Sequence, residues 1–180
     1  MLLEKLTVIV GDANVLTGEQ VRSRAVGWAD RSPCQARAIV RPGSTDEVSR
    51  VLAECHATGQ PVVLFGGLTG LVQGSVASEH EIALSLERMH RIESIDPVGR
   101  TMTVEAGVAV QRIQEEAEKH GLLYPVDFGA RGSAHIGGSA ATNAGGNGVI
   151  RYGMTRDSVL GLEAVLADGT VIPAMNRMIK

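Results

Sequence analysis

At 180 residues the chain is long enough for one well-packed domain, or for two small lobes sharing a core. Its 44% hydrophobic and 21% charged residues fit a soluble globular protein and exclude a disordered one. A net charge of -3 and 3% aromatic residues supply neither the field nor the stacking platform that nucleic-acid binding needs, so nucleic acid is not an expected partner.

The N-terminus interrupts its apolar patches with Glu4 and Lys5 and has no basic stretch leading into a long apolar run. No signal peptide and no membrane span are therefore expected, and the predicted location is cytoplasmic. Periodicity predicts an amphipathic helix over residues 2–10, with Leu2, Leu3, Leu6, Ile9 and Val10 at helical spacing. Residues 12–35 are polar, carry few periodic signals, and are expected to wrap the surface. Cys34 and Cys55 form neither a CxxC pair nor a zinc-ligand spacing. Two free, buried or partly buried thiols in a reducing compartment are expected, and no metal site.

A short strand at 38–40 stops at Arg41-Pro42-Gly43. Ser44 or Thr45 then caps a helix with Asp46 and Glu47 in its first turn, where the positive end of the helix dipole favours them. Val48, Val51, Leu52 and Cys55 mark its buried face, and Gly59 ends it. A buried strand at 61–65 completes a βαβ unit with a parallel pair. Further strands are expected at 81–86, 92–96 and 101–105, the last two as a hairpin about Asp96-Pro97-Val98-Gly99. A helix follows from Val110 to His120. Strands at 161–167 and 170–172 flank Asp168-Gly169, the strongest hairpin signal in the chain. A parallel opening followed by antiparallel pairs predicts an α+β fold.

Glycine is the informative residue. Of 22 glycines, four fall at 66, 67, 70 and 74 and six between 132 and 148, and neither stretch contains Lys, Arg, Asp or Glu. Glycine permits positive φ and close approach to a ligand. Successive amides can then converge on an anion without a charged side chain. Thr69, Ser133, Ser139, Thr142 and Asn143 place short polar groups beside those amides. A single glycine-rich turn is more often just a turn. The second stretch is richer in Ala and poorer in Ser than a flexible linker, which argues for a tightly packed irregular backbone at a ligand. No lysine follows the glycines as a Walker motif requires, and GxGxxG is absent.

Residues 61–76, PVVLFGGLTGLVQGSV, and 124–172, YPVDFGARGSAHIGGSAATNAGGNGVIRYGMTRDSVLGLEAVLADGTVI, closely resemble the FAD domain of the vanillyl-alcohol-oxidase superfamily. The nearest branch is that of the D-lactate, glycolate and D-2-hydroxyglutarate dehydrogenases. The resemblance covers residues 30 to 180, leaving 1–29 as an N-terminal helix and wrap. It implies a PCMH-type fold of two α+β lobes with FAD between them. Gly66, Gly67, Leu68, Thr69, Gly70, Leu71 and Gly74 would form the pyrophosphate loop. Pro125, Ser133, Ile136, Gly137, Gly138, Ala141, Thr142, Asn143, Gly145 and Gly146 would line the flavin and ribityl chain, and Tyr152 and Gly153 would close the pocket. Relatives that attach FAD covalently do so through a His or Cys at the positions of Leu68 and Ser133, so FAD is expected to be non-covalent.

The resemblance further implies hydride transfer from a small D-2-hydroxy acid to flavin N5. In that family the chain continues past the Asp168-Gly169 hairpin into the rest of the FAD domain and a cap carrying substrate and metal ligands. A chain truncated at Lys180, lacking that cap, is expected to accept a 2-hydroxy acid only when the missing region is supplied. No catalytic residue is assigned: His56 and His120 sit near helix ends, and His135 is read as a packing or backbone-bonding residue. The alternatives are an FAD-binding module without turnover, an enolpyruvyl reductase of the same fold, and a protein whose glycine loops are only tight connections. An uncovered apolar face invites association, which leaves a homo-oligomer open.

Overall fold

The structure, a computed structural model, describes residues 1–175. The chain divides into two compact units: Met1–Arg88 with the segment from Leu160 onward, and Met89–Val159.

The first unit opens with helix α1 (Leu2–Val10), then strand β1 (Val15–Leu16), helix α2 (Glu19–Arg22) and strand β2 (Ala38–Val40). Helix α3 (Thr45–Ala57) follows, with strands β3 (Val62–Phe65) and β4 (Ile82–Ser85) behind it. The four strands make one sheet in the order β1-β2-β4-β3, with β1 antiparallel to β2 and β4 parallel to both its neighbours. The expected βαβ pair is thus split, because β4 lies between β2 and β3. β2 and β4 are buried along their whole lengths, as central strands with both faces covered must be. β3 was expected to be buried; as an edge strand it leaves Leu64 62% exposed while Phe65 is buried.

The two faces of the sheet follow the strand period of two. Val40, Ile82 and Leu84 pack with Leu6 and Val10 of α1 and Val51 and Cys55 of α3. Ile39, Ala83 and Phe65 pack with Val21, Val26, Cys34 and Ala36 on the other face. The segment 12–35 is therefore no mere surface wrap, since three of its apolar residues close one face of the sheet. Ser44 caps α3 as expected, its Oγ accepting from the Glu47 amide at 3.2 Å. Both cysteines are free and buried, and burial, together with the Glu54 charge, pushes the Cys55 thiol up to about 11.

From Leu160 the chain returns to this unit as the hairpin β7 (Leu162–Val165) and β8 (Val171–Ala174), here numbered after the strands of the second unit. The hairpin docks on α3: Thr45 Oγ1 donates to Glu163 at 2.6 Å and Ser49 Oγ donates to the Gly169 carbonyl at 2.6 Å. Gly169 has φ 88, and a Cβ there would lie 2.6 Å from the Ser49 carbonyl, so the turn demands glycine twice over.

The second unit begins with the antiparallel hairpin β5 (Ile92–Asp96) and β6 (Thr101–Val104), whose turn is held by Asp96 Oδ1 accepting from the Val98 and Gly99 amides. Helix α4 (Val110–Lys119) buries Val110, Ile113 and Ala117. The second glycine stretch is not irregular throughout, as expected, but contains helix α5 (Ile136–Thr142), followed by the one-turn helix α6 (Val149–Tyr152). Alanine at 140 and 141 and the absence of β-branching over 137–141 explain why the backbone coils there in spite of two glycines.

Candidate functional site

Loop 66–74 leaves the end of β3 in the first unit. Its main-chain position is fixed from the side: the Trp28 amide donates to the Leu68 carbonyl at 2.9 Å, and Ser75 Oγ donates to the Val26 carbonyl at 2.8 Å. Within the loop Leu68 (φ 54) and Gln73 (φ 58) occupy the left-handed region, and the Val76 amide closes a turn on the Gln73 carbonyl at 3.1 Å. The glycines here are not the residues at positive φ; Leu68 and Gln73 are. Nothing lies within 4 Å of a Cβ built on Gly70 or Gly74. Among the described residues, no acceptor takes a hydrogen bond from the amides of 67–74. Residues 70–74 are exposed and 67–69 partly so, and the loop carries no acidic side chain.

In the second unit, the 124–157 region is woven together by main-chain bonds. The Ile136 and Gly137 amides, at the start of α5, donate to the Val108 and Ala106 carbonyls, both at 2.8 Å. A Cβ on Gly137 would lie 2.7 Å from Ala106 Cβ, so glycine lets α5 press against residues 106–109. Because those first amides are already bonded, the start of this seven-residue helix is no free anion site. The exposed face of α5 carries Gly138, Ala141 and Thr142 at i, i+3 and i+4, a flat strip of small residues. Ser139, named beside the amides for its hydroxyl, is buried, and its Oγ donates to the His135 carbonyl at 3.1 Å. Thr142 Oγ1 likewise donates to the Gly138 carbonyl at 2.9 Å.

Asn143 ends α5 in the left-handed conformation (φ 52), and its Oδ1 accepts from the Arg156 amide at 3.0 Å. Gly146 touches the 125–128 strip so closely that a Cβ would lie 2.2 Å from the Asp127 carbonyl, which also accepts from the Asn147 amide at 2.9 Å. Gly148 lies beside the Pro125 carbonyl, and Gly145 beside Met154 and Val149. Buried Thr155 donates its hydroxyl to the Ala144 carbonyl at 2.7 Å. The Tyr124 phenol is raised by burial, with the Thr155 hydroxyl working the other way. Tyr152, at the end of α6, is 41% exposed with the Arg151 guanidinium 5.1 Å from its ring centre, and Gly153 follows at φ 77. Ser133 is exposed in the turn before α5, its amide bonded to the Ala130 carbonyl.

The structure therefore gathers the candidates from Gly66 to Gly74 on one loop, and those from Pro125 to Gly153 in one interlocked region of the other unit. Sequence reasoning missed the residues that hold these segments: Trp28, Ser75, Ala106, Asp127 and Arg156. Asp127 and Arg131 show an i,i+4 spacing and do pair, but nothing local marks the others. Among the described residues, no group of three His, Cys, Asp or Glu is placed to hold a metal, and no helix is long and apolar enough to cross a membrane.

This architecture is that of the PCMH-type flavoproteins. The structure overlays a solved alkyldihydroxyacetonephosphate synthase with a TM-score of 0.84 at 19% identity, covering 97% of this chain and 34% of that one. A family described as an FAD binding domain matches residues 36–174, and the chain belongs to that family. It is 45% identical over 153 residues to the D-2-hydroxyglutarate dehydrogenase of Xanthomonas citri pv. viticola, covering 85% of this chain and 32% of the relative. It is 38% identical over 178 residues to the mitochondrial D-2-hydroxyglutarate dehydrogenase of Bos taurus, covering 99% of this chain and 33% of the relative. The chain thus spans about a third of the length of these relatives.

Proposed function

We propose that this chain binds FAD non-covalently through loop 66–74 and region 125–153, as the FAD-binding portion of an oxidoreductase for a small D-2-hydroxy acid. The observation that carries the reading is the run of amides over 67–74, unbonded to protein, uncharged, and fixed by the Trp28–Leu68 and Ser75–Val26 bonds. Those amides, with Gly66 at the head of the loop, Thr69 and the flanking Leu71, would hold the two phosphates. The strip Gly138, Ala141 and Thr142, with Pro125, Ser133, Ile136, Gly137, Asn143, Gly145, Gly146, Tyr152 and Gly153, would hold the flavin and ribityl chain. Leu68 offers no atom for a covalent link to the cofactor. When bound, FAD supplies a hydride acceptor at N5, and the protein's part is orientation and electrostatics. The D-2-hydroxyglutarate dehydrogenases among the relatives support the substrate class.

A second reading, an FAD-binding module without turnover, is favoured by one observation: among the nominated residues only Tyr152 has a titratable side chain. The two readings separate in one experiment. The purified chain is titrated with FAD while the visible spectrum and the emission of Trp28, its single tryptophan, are followed. Bound flavin should perturb the spectrum, quench Trp28, and come free on acid denaturation. Anaerobic D-2-hydroxyglutarate, D-lactate or glycolate is then added. Bleaching of the flavin supports the enzyme, and bound but unbleached flavin supports the module. Absence of any binding at micromolar FAD sinks both.

A further inference from the structure

We propose that Arg156 is a positioning residue for FAD, setting the strip of α5 on which the flavin is read to lie. The inference rests on the FAD reading above. Its basis is a set of three bonds that converge on the end of one short helix. Arg156 Nε donates to the Ala140 carbonyl at 2.9 Å and its Nη2 donates to the Ala141 carbonyl at 2.7 Å. The Arg156 amide meanwhile donates to Asn143 Oδ1 at 3.0 Å, where the chain turns left-handed.

A seven-residue helix is too short to hold its own geometry, and its last carbonyls lack intrahelical partners. At the start of α5 the Val108 and Ala106 carbonyls fix the first turn. At the far end the guanidinium takes two carbonyls at once, and its charge complements the negative end of the helix dipole. Ala141 is itself one of the exposed residues of the strip, so the bond at 2.7 Å bears on a candidate contact residue directly. Arg156 is exposed and its side-chain bonds end on two carbonyls of α5, so its loss should shift that helix without unfolding the protein.

Two variants, Arg156→Met and Arg156→Lys, test this on the full chain by FAD titration, flavin spectroscopy and thermal melting without FAD. Methionine keeps the length of the stem and removes every donor; lysine keeps the charge and can serve one carbonyl at a time. Arg156→Met is expected to weaken FAD binding roughly tenfold, the equivalent of one charge-assisted bond. Its bound flavin should show a spectrum moved toward that of free FAD, at an unchanged melting temperature. Arg156→Lys should recover part of the affinity and of the spectrum. Equal affinity and an identical bound spectrum in Arg156→Met would overturn the inference and leave the FAD reading standing. Weaker binding accompanied by a lower melting temperature, without recovery by lysine, would make the residue structural and overturn it too. Failure of the unmodified protein to bind FAD would overturn both.

Discussion

Gly146 and Gly70 are both glycines of the two candidate segments, yet physics asks different things of them. A Cβ at Gly146 would sit 2.2 Å from a backbone oxygen that cannot move without the 125–128 strip. Gly146→Ala should therefore destabilise the protein by about 3 kcal/mol, at the upper end of overpacking costs, seen as a lowered urea midpoint. Gly137→Ala, against Ala106, should cost about 1–3 kcal/mol by the same measure. Gly70 and Gly138 meet nothing within 4 Å and neither has positive φ. Alanine at either should leave the melting temperature unchanged or slightly raised, since it removes unfolded-state freedom of about 0.4–1 kcal/mol. If the loops hold FAD, both variants should nonetheless lose FAD affinity. Unchanged affinity in both would mean that neither glycine touches FAD.

At the scale of elements, what was legible had a local cause and what was not had a distant one. α1, α3, α4 and the two hairpins could be read because periodicity, an Ser44 cap and the Asp168-Gly169 turn lie within each segment. The place of β4 between β2 and β3 could not, since strand order is decided by pairing partners far apart in sequence. α5 was misjudged because glycine counts against a helix locally, while the Val108, Ala106 and Arg156 bonds that stabilise it come from outside the segment. The candidate site was legible as two uncharged glycine-rich runs. Its supports, Trp28 and Ser75 for one and Asp127 and Arg156 for the other, were hidden because their bonds end on backbone atoms, which any residue supplies. Removing a support should act like removing a contact: Ser75→Ala should loosen loop 66–74 and accelerate exchange of the Trp28 and Val76 amides, which are bonded to the Leu68 and Gln73 carbonyls, leaving α3 protected.

For the molecule as a whole, acid is the condition to which these interactions are most exposed. Glu105 has a 5% exposed side chain; burial alone would raise its pKa, but Arg91 donates to it at 2.7 and 3.0 Å and through its amide at 2.6 Å. The bonds prevail and hold the carboxyl below its ordinary 4.5. Glu87 is likewise held low in spite of burial, between Arg24 at 2.7 Å and Arg41 at 3.0 Å. A carboxylate depressed in the folded state stabilises fully above 4.5, and that stability fades as pH falls through the lowered value. The urea midpoint should thus be flat near neutrality and fall below pH 4.5. Glu105→Gln should lower the unfolding free energy at pH 7 by about 1–2 kcal/mol, a cost kept modest by the exposure of Arg91, and should flatten the acid decline. An acid limb unchanged in Glu105→Gln would assign the decline to other carboxylates.

The docking of the β7–β8 hairpin on α3 also has a consequence in time. Ser49 and Gly169 are 120 residues apart, with the whole of Met89–Val159 made between them. On a ribosome adding ~5–20 residues per second, α3 waits on the order of ten seconds for its partner to emerge. During that interval the helix and its strands stand ready while one side of the unit has yet to be synthesised, so residues translated early are among the last to be finished.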